Sequence, residues 1–263
     1  NNRGQLGNGT ANYHSTLPVD VVGLDGDILA ISAGTHHTCA LTLGRTVKCW
    51  GDNYYGELGN GKADFFPVSI PVAVGALGGV KSISTGASHT CAVTETDGTK
   101  CWGHNESGQL GDESGTIFSA TPVAVHDLAS GVQAVSAGQD YTCALTVAGS
   151  AKCWGYNGTG QLGNRTTTDH WQPAVVNGLS EAVQAVAVGK SHMCTLTSSG
   201  SVKCWGSNRM GQLGNGTRSA SWMPVDVSGL TSGIQAVAVG QSHGCALTKA
   251  GGVKCWGSNS SGQ

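Results

Sequence analysis

One segment of 51 or 52 residues occurs five times in this chain. In the fourth copy, its best-preserved part reads S-H-M-C-T-L-T-S-S-G-S-V-K-C-W-G, between residues 191 and 206. The second cysteine of each copy follows the previous one by 52, 52, 51 and 51 residues, at Cys49, Cys101, Cys153, Cys204 and Cys255. A fixed period of this size predicts a repeat architecture in which each copy forms one structural unit.

Each copy contains four segments with the composition of short β-strands. The first alternates and is rich in β-branched residues, as in residues 234–239, and ends at a glycine. The second carries Cys-Ala-Leu-Thr or a variant, and the third reads Val-Lys-Cys-Trp-Gly or a close variant. The fourth begins at a proline, as in Pro122–Val125, which suits an outer edge strand. We therefore predict an all-β fold, a β-propeller of four-stranded blades.

Three motifs resemble the repeats of the regulator of chromosome condensation family over essentially the whole chain. They are G-x-x-H-T-C-A-L-T, V-K-C-W-G and N-x-x-G-Q-L-G-N-G-T. The resemblance implies a β-propeller, which in that family usually has seven blades. The family includes a nucleotide exchange factor, an inhibitor of β-lactamases and a plant light receptor, so the motifs indicate a fold more than a function. The paired cysteines are most similar to those of secreted bacterial members.

We expect residues 1–263 to form a single propeller domain built from the five repeats. The segment Asn1–Gln5 has the same repeat register as Asn259–Gln263, so the chain covers five periods plus five residues. We interpret this overlap as an indication that the repeats were excerpted from a longer array. The array would then be part of a seven-bladed propeller, and a five-bladed ring is the alternative.

The ten cysteines fall in two columns of the repeat that flank a hairpin. With Cys39 opposite Cys49, Leu41 lies opposite Val47. Opposed residues point to the same face, with Cβ atoms roughly 4.5–5.5 Å apart, close to the separation in a disulfide. We therefore predict five disulfides within blades and an oxidising compartment. The predicted pairs are Cys39–Cys49, Cys91–Cys101, Cys143–Cys153, Cys194–Cys204 and Cys245–Cys255.

Reduced thiols in a cytosolic propeller and a metal site are the alternatives for these cysteines. Nine residues separate the two cysteines of a pair, against two to four in common zinc sites. A histidine precedes the first cysteine by two positions in four copies, but the third copy has Tyr141 there. This substitution favours packing or hydrogen bonding over metal ligation.

Other recurring residues have structural interpretations. The tryptophan after the second cysteine is expected to pack between blades, with sugar stacking as the alternative. The glutamine of G-Q-L-G, replaced by Glu57 in one copy, is expected to bond to the backbone. The same motif is not a phosphate-binding loop, because no Lys-Ser/Thr pair follows it. We predict no cofactor.

Composition excludes several classes of function. Charged residues make up 11% of the chain and the net charge is −2, with no cluster of Lys and Arg, so we expect no nucleic-acid partner. The chain has no apolar run of 18 residues, so we expect no membrane insertion. The 16 acidic residues are scattered and form no catalytic pattern, so we expect no enzyme activity.

In a propeller, function is expected where the copies differ. The divergent positions carry aromatic residues, methionine and arginine, which are enriched at binding hot spots. The candidate partner-binding residues are Tyr54, Tyr55, Phe65, Phe66, Phe118, His170, Trp171, Arg209, Met210 and Trp222. The alternative is that Phe65, Phe66, Trp171 and Trp222 cover blade edges.

The repeat, the cysteine pairs and the low charge favour a secreted or cell-surface protein without catalytic activity. Such a protein would act as an interaction or structural module, with a protein partner or through self-association. One alternative is a guanine-nucleotide exchange factor-like regulator of a small GTPase, which would need reduced cysteines and a nuclear or cytosolic address. Another is an inhibitor of a secreted enzyme, which inhibition assays would separate.

Overall fold

The structure, a computed structural model, describes residues 1–12, 14–24 and 26–263. Nineteen β-strands are found in this part of the chain and none of its residues is helical. The first blade consists of β1 (Ile28–Ala33), β2 (His37–Thr42), β3 (Val47–Asn53) and β4 (Asp64–Ala73). The second consists of β5 (Val80–Thr85), β6 (His89–Thr94), β7 (Thr99–His104) and β8 (Phe118–Ala124).

The later blades repeat this pattern. The third consists of β9 (Val132–Ala137), β10 (Tyr141–Thr146), β11 (Ala151–Gly155) and β12 (His170–Val175). The fourth consists of β13 (Val183–Val188), β14 (His192–Thr197), β15 (Val202–Gly206) and β16 (Ser221–Asp226). The fifth has three strands, β17 (Ile234–Val239), β18 (His243–Thr248) and β19 (Val253–Gly257).

Each blade is an antiparallel meander, and successive blades meet through their first strands. Strands pair in chain order within every sheet, and β1, β5, β9, β13 and β17 each contact the next in turn. The predicted all-β propeller is thereby confirmed, with a fifth blade of three strands where four were predicted. Within the described residues, no helix is long and apolar enough to cross a membrane.

The fourth strands begin earlier than the sequence pattern indicated. In β8, the strand starts at Phe118 and Pro122 lies inside it. Pairing changes from Cys101 opposite Val123 to Gly103 opposite Ser119, so the proline falls in a bulge of the edge strand. The residue at a bulge of an edge strand donates no hydrogen bond to the neighbouring strand. Proline, which has no N–H, therefore fits there without the loss of a hydrogen bond.

The five cysteine pairs are bonded as the sequence predicted. Cys39 lies opposite Cys49 and Leu41 opposite Val47, and the Cα atoms of every bonded pair are 4.1 Å apart. The first four disulfides lie in the layers between blades. In the first layer, Cys39 and Cys49 belong to one buried cluster with Ala92 and Trp102 of the next blade.

The recurring tryptophan packs between blades and also donates a hydrogen bond. Trp154 is fully buried, and its Nε1 donates to the carbonyl oxygen of Gln109 in the preceding blade at 2.9 Å. The backbone of Gly111 packs directly against the indole. Its φ is 68°, and a Cβ there would be 2.7 Å from Trp154 Nε1. Only glycine fits both demands, which explains the second glycine of G-Q-L-G.

We expect the Cys245–Cys255 disulfide to be reduced first when intact protein of residues 1–263 is treated with a mild thiol. Cys255 is exposed, whereas both cysteines of the first four pairs are fully buried. Attack by a thiolate needs access to a sulfur, so the buried pairs should resist until the blades open. Stepwise alkylation followed by peptide mass mapping measures the order. Simultaneous reduction of all five pairs without unfolding would contradict this layered burial.

Candidate functional site

All ten divergent residues lie at one end of the propeller. We call this the variable end: there, the first strand of a blade leads into the second, and the third into the fourth. Every divergent residue lies either in a third-to-fourth connection or among the first three residues of a fourth strand. The opposite end, here the hairpin end, carries the short turns between second and third strands. Antiparallel pairing within each blade therefore collects residues that are far apart in sequence.

A cavity of about 770 Å³ opens at the variable end around the propeller axis. Loops from all five blades contribute to its wall. Its polar side chains include His36, Tyr55, His104, Asp140, Lys190 and Gln241. Burial raises the pKa of the Asp140 carboxyl, an effect partly offset by the nearby His104.

An asparagine that sequence reasoning did not single out fixes each loop of this end. In the third blade, Asn157 is fully buried: its Oδ1 accepts the N–H of Leu162 at 3.0 Å, and its Nδ2 donates to Thr168 O at 3.0 Å. Asn53, Asn105 and Asn208 accept from the equivalent leucines. The signal was available, since an asparagine recurs at this position in every copy. The two residues after it can therefore vary without loss of the loop.

The recurring glutamine supports the same loop. Gln109 Oε1 accepts the N–H of Ser107 at 3.0 Å, and its Nε2 bonds His104 Nδ1 at 2.9 Å. In the first blade, Glu57 takes this place and accepts the N–H of Tyr55 at 2.9 Å. Burial raises the pKa of the Glu57 carboxyl to about 7. The predicted backbone-bonding role of this column is what the structure shows.

Replacing Glu57 with glutamine is expected to raise the free energy of unfolding at pH 8 by about 1–3 kcal/mol. The folded-state pKa of Glu57 is raised, so the stability it contributes is present below its unfolded pKa and is lost as the pH rises through about 7. Glutamine has no proton to lose. Urea unfolding at pH 8 and pH 5 measures the effect, which should shrink at the lower pH.

The reverse change provides the matched control. Gln109→Glu places a carboxyl in the equivalent site of the second blade and should destabilise more at pH 8 than at pH 5. A Glu57→Gln effect of equal size at both pH values would contradict the buried-carboxyl explanation.

The histidines before the first cysteines join neighbouring blades. His37 Nε2 bonds Thr90 Oγ1 at 2.8 Å, and His89 Nε2 bonds Thr142 Oγ1 at 2.9 Å. Tyr141 instead donates to the carbonyl oxygen of His192 at 2.7 Å, because Met193 stands where the first three blades have threonine. No group of three metal-ligating side chains occurs among the described residues. His37 and His89 serve as contacts between blades, whereas His192 has no such threonine to bond, because Gly244 stands at that position of the fifth blade.

Four rings form a continuous row from the outer strand of the first blade to the cavity. Phe65 meets Tyr54 edge-on, with centroids 5.2 Å apart, and Tyr54 meets Tyr55 edge-on at 4.7 Å. Tyr55 then lies 4.2 Å from the ring of His104. We call Phe65, Tyr54, Tyr55 and His104 the aromatic row. Sequence reasoning had singled out the first three and missed His104, although its position also varies among the copies, with Asp52, Tyr156, Ser207 and Ser258 in the others.

The remaining candidates are spread along the same end. Trp171 packs against Gly108 and Trp222 against Gly160, each covering a turn of the preceding blade. Trp222 and Met210 nevertheless remain about half exposed, and Phe66 is 82% exposed. Phe118 pairs across the strands with His104, and it is 37% exposed. Arg209 is exposed and His170 is half-buried.

The comparisons with known proteins agree with this architecture. A family model described as an RCC1-like domain matches residues 1–263. The ultraviolet-B receptor UVR8 of Arabidopsis thaliana is 34% identical over 269 residues, a match that covers 99% of this chain and 60% of the receptor. This chain thus spans less than two thirds of that relative.

Two solved structures share the fold. Human WBSCR16 has a TM-score of 0.80 at 25% identity, over 89% of this chain and 62% of that chain. Prp20p from Saccharomyces cerevisiae, studied for its binding to Gsp1p and histones, has a TM-score of 0.65 at 18% identity, over 97% of this chain and 78% of that chain.

Proposed function

We propose, for a chain that belongs to the RCC1-like domain family, that it is a secreted or cell-surface protein without catalytic activity. In this proposal, it binds a protein partner through the variable end of its propeller. One observation carries the proposal. The recurring residues form the contacts within and between blades, whereas all ten divergent candidates lie at the variable end.

The proposed secretion rests on the cysteines. Ten cysteines form five disulfides, and no cysteine is left free in the described residues. Disulfides persist in oxidising compartments and are rare in the cytosol. A chain with one disulfide in each blade therefore suits an extracellular environment.

The proposed lack of catalysis rests on how the buried polar groups are used. His37 and His89 bond to threonines of the next blade, and Gln109 holds its own loop. These groups are therefore engaged in holding the scaffold together. A binding role needs only the exposed side chains of the variable end.

We also propose that the five repeats belong to a longer array, within which they form one sector of the propeller. In the first four blades, the disulfide layer is covered by the tryptophan of the following blade, as Cys39 and Cys49 are by Trp102. In the fifth blade, the same layer is open, with Val253 66% exposed. A further blade would cover it, and the Cys245–Cys255 disulfide would then become as protected as the others.

An affinity experiment with matched variants tests the binding proposal. The protein is immobilised and incubated with the extracellular fraction of its source organism, and retained proteins are quantified by mass spectrometry. One variant carries Tyr54→Ala and Met210→Ala at the variable end. The control carries Leu43→Ala and Val147→Ala, which are similarly exposed at the hairpin end.

A partner retained by the wild type and the control, but reduced at least tenfold by the variable-end variant, is the expected result. Retention of every partner by the variable-end variant, or equal loss from both variants, would overturn the proposal. Accelerated nucleotide release from a small GTPase would replace it with the exchange-factor alternative.

A further inference from the structure

The aromatic row is more exposed than folding requires. Phe65 is 77% exposed and Tyr54 is 47% exposed, although both belong to a chain of ring contacts. The other copies have Glu106, Gly158, Arg209 and Ser260 in the position of Tyr54. Since glycine and serine are accepted there, the loop does not need an aromatic side chain. The rings of the first blade are therefore available to a ligand.

Carboxylates surround the row. Asp64 precedes Phe65 and accepts a bond from Asn53 at 3.3 Å, and the largely exposed Glu106 lies 3.5 Å from His104 Nε2. Asp52 is paired with Arg3 at 3.7 Å. Desolvation raises the pKa of Tyr55, and Tyr54, Glu106, Glu57 and Asp52 raise it further, which shows the local excess of negative potential.

Basic residues are concentrated elsewhere on this end. Lys190, Arg209 and Arg218 belong to the fourth blade, whose connections at the variable end contain no acidic residue. The cations next to the row include Lys62, in the loop before β4, and Arg3, whose guanidinium pairs with Asp52. The first two blades thus present rings and carboxylates together, and the fourth presents cations.

Rings that meet edge-on leave parts of their faces open to solvent, and these faces attract cations. Tyr54 is inclined 84° to Tyr55 and 77° to Phe65. An ammonium or guanidinium group above an aromatic face is stabilised by the ring quadrupole, and a nearby carboxylate accepts its N–H groups. A neutral or acidic ligand would gain neither contribution.

We propose that Tyr54 and Tyr55 of the aromatic row, together with Glu106 beside His104, bind the lysine or arginine side chain of a protein partner. The inference rests on the proposed function, because it names what the variable end recognises. The aromatic faces hold the aliphatic stem and the cationic head, and Glu106 accepts a hydrogen bond from that head. Recognition then depends on the positive charge of a single side chain.

Peptide selection on the whole protein tests the assignment. A library of random twelve-residue peptides is selected for binding to the wild type and counter-selected against Tyr54→Ala. Each enriched peptide is then titrated in two forms, as selected and with its arginine or lysine replaced by neutral citrulline or acetyl-lysine. The second measurement uses the unchanged protein, so it does not depend on the folding of any variant.

We expect enriched peptides to share an arginine or lysine, and neutralisation to weaken binding at least tenfold. Tyr54→Ala should weaken binding about 3- to 30-fold. Glu106→Gln should also weaken it and reduce its salt dependence. Leu43→Ala is the control: it removes an exposed apolar side chain at the hairpin end and should change binding less than twofold.

The outcomes separate this inference from the proposed function. Peptides that depend on Tyr54 but bind equally after neutralisation would overturn the cationic assignment and leave the variable end as the binding surface. Enriched peptides that no variable-end substitution affects would overturn both. A dimer of this chain that Tyr54→Ala dissociates would place a second copy on the aromatic row and also overturn the assignment.

Discussion

Replacing Trp154 with alanine is expected to lower the free energy of unfolding by about 3–5 kcal/mol. The side chain is fully buried in a cluster with Cys91, Cys101 and Leu110 of the preceding blade. Removing it leaves a cavity between two blades and takes the indole N–H from the Gln109 carbonyl, which keeps only the bond from Thr142 Oγ1. Urea unfolding followed by circular dichroism measures the change.

Trp222→Ala is the matched control for this prediction. Trp222 is 51% exposed and covers a turn without filling a layer between blades. Its removal should cost less than about 1 kcal/mol, as for most surface substitutions. Equal losses for Trp154→Ala and Trp222→Ala would contradict the interpretation of the tryptophan column as the packing between blades.

Stability is expected to fall steeply as the pH drops below 6.5, by about 2.7 kcal/mol per pH unit between roughly pH 6 and 5. Burial lowers the pKa of His37 to about 4, of His89 to about 3 and of His192 to about 4. A lowered folded-state pKa gives stability that is present above the unfolded value and lost as the pH falls towards the folded one. On unfolding in this pH range, the three histidines take up three protons. Glu57, whose pKa is raised in the folded state, releases one, so the net uptake is two protons.

Two variants should move this slope in opposite directions. His89→Gln removes one titrating group and should reduce the slope to about 1.4 kcal/mol per pH unit. Glu57→Gln removes the opposing group and should increase it to about 4 kcal/mol per pH unit. Chemical denaturation at half-unit steps of pH measures both. A slope that neither substitution changes would contradict the assignment of acid sensitivity to these residues.

The blade architecture could be predicted because each repeat column carries a local signal. The cysteine spacing set the hairpin register of Cys39 and Cys49, and the β-branched runs set the inner strands. The start of the fourth strand could not be predicted in the same way. Its bulge at Pro122 depends on pairing with the third strand, and the proline by itself indicated a strand start.

The candidate site was partly accessible from sequence. Divergence among the copies pointed to Tyr54, Tyr55 and Phe65, but their contact with one another depends on the loop between β3 and β4. His104 was missed because it belongs to the next blade and reaches Tyr55 only through blade packing. The raised pKa of Glu57 could not be predicted from sequence either, since it follows from the burial of its carboxyl in the folded protein.

The recurring columns build the scaffold of the propeller, and the variable end is the proposed binding surface. Amide hydrogen exchange, measured with and without a bound partner, distinguishes the two ends of the propeller. We predict new protection in residues 34–36 and 54–66 and in the equivalent connections of the other blades. Protection confined to the turns of the hairpin end, such as residues 43–46 and 147–150, would contradict it.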